Sequence, residues 1–264
     1  MKTMAFALIM AVLAPAMASA ALHTAVVDYK QGDTALEGYI AYKEGIAGKV
    51  PGVLVVPDWM GLGQHYKDIT NKLADLGYVA FAADIYGKGV RPADSKQAAP
   101  EAGKYRNDRG LMRQRILAGL EELKKNKNVD QNRIAAIGYC FGGTVVLELA
   151  RSGAPIAGVV TFHGGLDTPT PADAKNIKAK VLVLHGADDP LVPPDQVAAF
   201  QEEMRKGGVD WQMIFYGNAV HSFTTPAAGN DKSKGVAYDE KADKRSWEAM
   251  KSFFKEIFGA PGKE

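Results

Sequence analysis

Residues 138–143 read Gly138-Tyr139-Cys140-Phe141-Gly142-Gly143. The apolar run 133–138 leads into them with strand character, and the stretch 142–150 leaves them with helix character. A reactive side chain held in a sharp turn between a buried strand and a helix needs small residues two positions away on either side. Gly138 and Gly142 supply them. Such a turn lifts the Cys140 sulfur to the carboxyl end of the sheet, where open α/β sheets bind ligands. The following helix aims its N-terminus at the sulfur and favours the thiolate. The Phe141 backbone N–H then faces the place where an oxyanion would develop. The bland alternative is a cysteine packed between two glycines of convenience. The strand before it and the helix after it favour the nucleophile elbow.

The same alternation extends in both directions. Residues 25–29 and 36–42 form an opening pair of strands around the turn at Gln31-Gly32-Asp33. Residues 53–57 and 79–83 are unbroken apolar runs, as expected of strands buried on both faces. Residues 158–162 read as a further strand, 181–185 as another apolar strand and 211–216 as the last strand. Helices are expected over 66–76, where Gly77 stops the pattern, and over 105–125, 196–205 and 241–258. The stretch 87–103, rich in Gly, Pro and Ala, reads as a loop, and 229–235 as a polar surface loop. Strands punctuated by helices specify an α/β fold, with a mostly parallel central sheet and helices on both faces. Neither a repeat nor a linker divides residues 21–264, so one domain is expected there.

Composition sets outer bounds. The chain has 264 residues, 47% hydrophobic and 23% charged, which excludes wholesale disorder, a collagen-like repeat and a multi-pass membrane protein. Lys and Arg number 32 against 30 Asp and Glu, so the net charge of +2 leaves no footprint for nucleic acid. One cysteine allows neither an internal disulfide nor a cysteine-rich metal site. Residues 1–20 are a separate object: Lys2 supplies a positive start, residues 6–13 a short apolar core, and Ala18-Ser19-Ala20 a small-x-small cleavage signal. We expect a secretory leader cut after Ala20, a periplasmic or secreted protein, no stable membrane anchor after cleavage, and a monomer. A lone thiol in an oxidising space is either buried and inert or put to use.

A nucleophile elbow requires an acid and then a base further along the chain. His185-Gly186-Ala187-Asp188-Asp189-Pro190-Leu191-Val192-Pro193 follows one apolar strand. Its pattern assigns the acid to Asp189 and leaves Asp188 to the turn. The Asp189 carboxylate would hold an imidazole in one tautomer and stabilise its protonated form. Gly217-Asn218-Ala219-Val220-His221-Ser222-Phe223 follows the last strand and so lies on the same rim, which makes His221 the candidate base. His185 reads as a buried strand-end group, and His163 as a strand-end residue lining the pocket. His23 and His65 have no context. Scattered singly, these histidines make no metal site, and no metal or cofactor is expected. Tyr86, Phe223 and Trp59 would give the pocket apolar walls.

These segments together resemble the dienelactone hydrolase family, the cysteine-nucleophile branch of the α/β-hydrolase fold. The residues that carry the resemblance are Pro57-Asp58-Trp59-Met60-Gly61, Asp84-Ile85-Tyr86-Gly87, the Cys140 elbow, the Asp189 segment and His221-Ser222-Phe223. The resemblance implies a Cys140–His221–Asp189 triad that cleaves a small ester or lactone through a thioester acyl-enzyme. It also implies an oxyanion hole made by the backbone N–H groups of Trp59 and Phe141. Two positions depart from the family pattern. Asp58 stands where the family has a glutamate that modulates the thiol, and Thr225 stands where the naming enzyme has an arginine for a substrate carboxylate. Arg106 and Arg109, with Arg91 and Arg113, are the cations available near the rim. Rival readings are a non-catalytic ligand-binding protein, a redox-responsive thiol protein and a thiol peptidase on a related fold. The order Cys140, Asp189, His221 favours the hydrolase.

Overall fold

A computed structural model describes residues 20–259. The expected leader therefore lies, apart from Ala20, outside the described residues. In chain order the elements are β1 (Leu22–Gln31), β2 (Thr34–Lys43), β3 (Val50–Val56), α1 (Gln64–Asp75), β4 (Val79–Ala82), α2 (Ser95–Asn107) and α3 (Arg109–Lys124). They continue with β5 (Val129–Tyr139), α4 (Phe141–Arg151), β6 (Gly158–Phe162), β7 (Lys180–Gly186), α5 (Pro194–Gly207), β8 (Trp211–Tyr216) and α6 (Glu240–Phe258).

The eight strands form one sheet in the order β1-β2-β4-β3-β5-β6-β7-β8. β1 pairs antiparallel with β2, and β2 antiparallel with β4. Every later pairing is parallel. This is the expected α/β-hydrolase architecture. The period-two geometry of a strand explains why the central strands read as unbroken apolar runs. Leu54 and Val56 of β3 face a core shared with α2, α3, α4 and α5, whereas Val53 and Val55 face a second core shared with α1 and α6. β1 sits at the sheet edge and alternates between covered and exposed positions instead.

Two expectations fail between β4 and β5. Residues 87–103 are not all loop, and residues 105–125 are not one helix. α2 starts at Ser95 because the Asp94 carboxylate accepts the Gln97 N–H at 3.0 Å. It tolerates Pro100, which leaves the carbonyl one turn back without that helical bond. It ends at Asp108, whose backbone (φ −127°, ψ 86°) is not helical. The Asp108 side chain accepts the Leu111 N–H at 2.8 Å and so starts α3. One residue thus stops one helix and starts the next. The polar stretch 229–235 carries a short 3₁₀ turn at Lys232–Lys234.

Candidate active site

Three connections at the carboxyl ends of β5, β7 and β8 build the site. Cys140 follows β5 and caps α4 with φ 52° and ψ −115°, a left-handed backbone that a side chain adopts only under constraint. The constraint is contact. A Cβ on Gly138 would collide with the Gly142 carbonyl, and one on Gly142 with the carbonyls of Val56 and Pro57. Gly143 packs so close to Gly164 that a Cβ would stand 2.7 Å from its Cα. Three glycines therefore let β5 turn into α4 against β3 and β6, and the turn carries the half-buried thiol outward.

The connection after β7 delivers Asp189, which is buried, while Asp188 is exposed. Asp189 Oδ1 accepts the Leu191 N–H at 2.8 Å, which fixes the carboxylate. Oδ2 lies 2.8 Å from His221 Nδ1. His221 sits in the connection after β8. Its backbone is clamped against the segment after Lys234 by hydrogen bonds with Gly235 and Ala237. His221 Nε2 lies 3.0 Å from Cys140 Sγ. Burial works against a charged His221, but the hydrogen bonds to Asp189 and Cys140 and their negative charge outweigh it and push the imidazole up to about 10. An acid, an imidazole and a thiol in that sequence can move a proton off sulfur and hold it.

Trp59 shares the cavity wall with Cys140, and Phe141 follows Cys140 in the chain. Among the described residues neither donates its backbone N–H to another protein group. The Phe141 N–H is also the first of the α4 N-terminus, where helical amides lack intrahelical partners. The Trp59 carbonyl accepts the Tyr86 hydroxyl at 2.9 Å, and the Tyr86 carbonyl in turn accepts the Tyr105 hydroxyl at 3.2 Å. Next to Trp59, Asp58 accepts the Met60 N–H at 2.8 Å. Burial raises the Asp58 carboxyl, opposed by that bond, by the adjacent Tyr66 hydroxyl and by His65 and His221.

A cavity of about 360 Å³ opens over the thiol. Trp59, Cys140 and His221 contribute to it, with Leu191, Val192 and Val236 as apolar wall and Thr144, Gln196 and Asp167 as polar wall. Of the residues expected to line it, Trp59 and Arg106 do so, the Arg106 guanidinium lying 5.7 Å from the centre of the Phe141 ring. The other four do not. Tyr86 is buried behind the Trp59 loop, Arg109 pairs with Asp167 at 2.6 Å, and His163 and Phe223 are buried in the layer beneath His221. Strand-end position was a correct cue for proximity but did not distinguish the wall from the layer behind it. Thr225 does not line the cavity either. His185 is buried against Phe215, as its strand-end position implied.

No motif announces the wall at residues 164–167. A buried ion network holds it. Arg151 is fully buried on α4, bonds Glu203 of α5 through two nitrogens at 2.8 Å each, Glu148 at 3.0 Å, and the Leu166 carbonyl at 2.9 Å. Glu148 also receives Arg113 of α3 at 2.8 Å. The Thr144 hydroxyl donates to the Gly165 carbonyl, and the Gln196 amide oxygen accepts the Leu166 N–H, both at 2.9 Å. Among the described residues no three His, Cys, Asp or Glu side chains form a metal-holding group, and no helix is long and apolar enough to cross a membrane.

The dienelactone hydrolase family model matches residues 36–258. The chain belongs to the dienelactone hydrolase family. It is accordingly a hydrolase of the ester and lactone class. A protein of Aquifex aeolicus named "Putative carboxymethylenebutenolidase" is 30% identical over 236 residues, spanning 87% of this chain and 97% of the relative. A protein of Bradyrhizobium named "Probable 2-oxo-3-(5-oxofuran-2-ylidene)propanoate lactonase" is 28% identical over 218 residues, 77% of this chain and 86% of its own. A crystal structure of a dienelactone hydrolase-like promiscuous phosphotriesterase from metagenomic libraries is 45% identical. It superposes with a TM-score of 0.85 over 90% of this chain and all of that one.

Proposed function

We propose that this dienelactone hydrolase family member cleaves small esters or lactones through a thioester formed on Cys140. What supports the reading is one continuous geometry: Asp189 Oδ2 at 2.8 Å from His221 Nδ1, and His221 Nε2 at 3.0 Å from a thiol at the floor of a cavity. Substrate carbonyl enters over Cys140 with its oxygen towards the Trp59 and Phe141 N–H groups. The sulfur, its proton already held on His221 Nε2, attacks the carbonyl carbon as a thiolate. The tetrahedral oxyanion takes both N–H bonds; loss of one such donor typically costs roughly 10²–10³ in rate. His221 returns the proton to the departing alkoxide, and the C–O bond breaks. Water then attacks the thioester with His221 as base, releasing the acid and restoring the thiol. Asp189 holds the imidazole and stabilises its charge throughout.

Asp58 stands where the family carries a thiol-modulating glutamate. It is one methylene shorter than the glutamate it replaces, and its carboxylate is turned back on Met60 N–H. Arg106 is the cation on the cavity wall, and among the described residues it has no ion-pair partner within 4.0 Å. It would receive an anionic group on the substrate. The leader motif at residues 1–20 supports export, with the mature chain starting at Ala21.

A second electrophile follows from the 45% identity to the metagenomic phosphotriesterase: an activated phosphotriester would meet the same thiol. The test is turnover of p-nitrophenyl acetate, a dienelactone, a matched anilide and an aryl phosphotriester by the mature protein and by Cys140→Ala. Ester and lactone turnover that disappears in Cys140→Ala is the expected result. Retained turnover in that variant would remove the thiol from the mechanism.

A further inference from the structure

The connection after β6 holds a histidine that the mechanism above leaves idle. His163 is 1% exposed and adopts φ 40°, the left-handed region that costs a side chain energy. Gly164 and Gly165 follow it, so a residue with no side chain would have met the same turn without that cost. Its Nε2 lies 2.8 Å from Thr224 Oγ1, in the segment that also carries His221. Its ring stands edge-to-face against the His221 ring, centroids 5.2 Å apart and planes at 64°. On its other sides Phe223 packs at 5.0 Å and Tyr139 at 6.1 Å.

His221 is tied at both ring nitrogens, to Asp189 and to Cys140. Two ties leave one freedom, a tilt of the ring about the line that joins them. The flat face of a neighbouring ring is what blocks a tilt. We propose that His163 is a positioning residue for His221: its ring, moored to Thr224, is the wall that sets the tilt of the imidazole towards Cys140. The inference rests on the Cys140–His221–Asp189 reading.

The charge state of the wall fits this task. Burial holds His163 well below the usual histidine range, and the neighbouring His221, His65 and His185 add to the effect. The titratable groups facing it are His221 from the segment after β8, His65 from α1, His185 from β7 and Tyr139 from β5. None is a carboxylate that would charge the ring. A neutral ring can pack against a charged His221 without repelling it.

The test compares His163→Leu, which keeps the volume but has no flat face, with His163→Phe, which keeps the face. Two readouts are used: ester kinetics per titrated thiol, and the pH dependence of Cys140 alkylation by iodoacetamide. The expected result for His163→Leu is a fall in kcat of about tenfold to a hundredfold with KM within about twofold, the signature of a misplaced group. Its alkylation midpoint should move up by about half a pH unit or more, because a tilted His221 supports the thiolate less well. His163→Phe, which keeps a ring but loses the bond to Thr224, should recover most of the loss and match Thr224→Val rather than wild type. Thr224→Val, which frees the mooring, should move both in the direction of Leu by less. It serves as the decisive variant if His163→Leu does not fold.

Wild-type kcat and alkylation midpoint in His163→Leu would overturn the proposal, as would a Phe variant no better than Leu. A drop in thermal stability alone, with both readouts unmoved, would also overturn it. Failure of the triad reading looks different: Cys140→Ala would keep the ester turnover, whatever the residue at 163.

Discussion

His221 is buried between a carboxylate and a thiol, and that setting couples its proton to the stability of the protein. Its folded-state value of about 10 stands above the ordinary 6.5. A histidine raised on folding contributes stability that is complete below the unfolded value and is lost as pH rises through the folded one. The wild type should therefore exceed His221→Gln in unfolding temperature most clearly near about pH 6, with the gap narrowing towards about pH 10. Thermal melts of both proteins across that range check it; a gap that widens with pH would be the wrong sign. At this scale the sequence was informative where chemistry is local. Cys140, Asp189 and His221 could each be named from the turn that follows an apolar strand. The roles of Tyr86, His163 and Phe223 could not, because facing the cavity or lying behind it depends on the packing of three separate connections.

Elements were legible in proportion to how much of their signal lies within themselves. β3, β4, β6 and β7 announce themselves as apolar runs because both faces of the sheet are covered there, whereas β8 is a partly exposed edge strand. α2 was hidden because its composition is that of a loop, and its start depends on one capping carboxylate, Asp94. The break between α2 and α3 rests on Asp108, which carries no Gly or Pro signal. Replacing it removes the cap of α3. Asp108→Ala should destabilise the protein by about 1 kcal/mol, measured by denaturant titration, with little change in turnover. The α3–α4–α5 contact is a stronger case. Arg151 is buried against Glu203, Glu148 and the Leu166 carbonyl. Arg151→Met would leave Glu203 buried without its partner and Glu148 with Arg113 alone, at a cost of about 3–5 kcal/mol. Because Leu166 anchors the cavity wall, KM should rise in whatever fraction remains folded. Unfolding curves and steady-state kinetics on the same preparation separate the two effects.

At the scale of the whole molecule, the parallel sheet delivers three connections to one rim. That geometry turns residues far apart in the chain into a site. The sequence carried the sheet and the rim. It did not carry the wall at residues 164–167, which a buried ion network between helices holds in place, nor the closing contact of Val236 beside His221. The leader belongs to this scale as well. Expressed from residue 1 in a host with a secretion pathway, the exported protein should begin at Ala21, as N-terminal sequencing or intact mass would show. A cytoplasmic product that retains Met1–Ala20 would contradict export. The central claim is a bond from Cys140 sulfur to substrate acyl carbon, and trapping it is the most direct test. The mature protein, mixed with p-nitrophenyl acetate and quenched in acid within the first turnovers, is read by intact and peptide mass spectrometry. One added acetyl group is expected, on the peptide that holds Cys140, and none in Cys140→Ala. Steady ester turnover with no acyl group on that peptide, undiminished in Cys140→Ala, would contradict it.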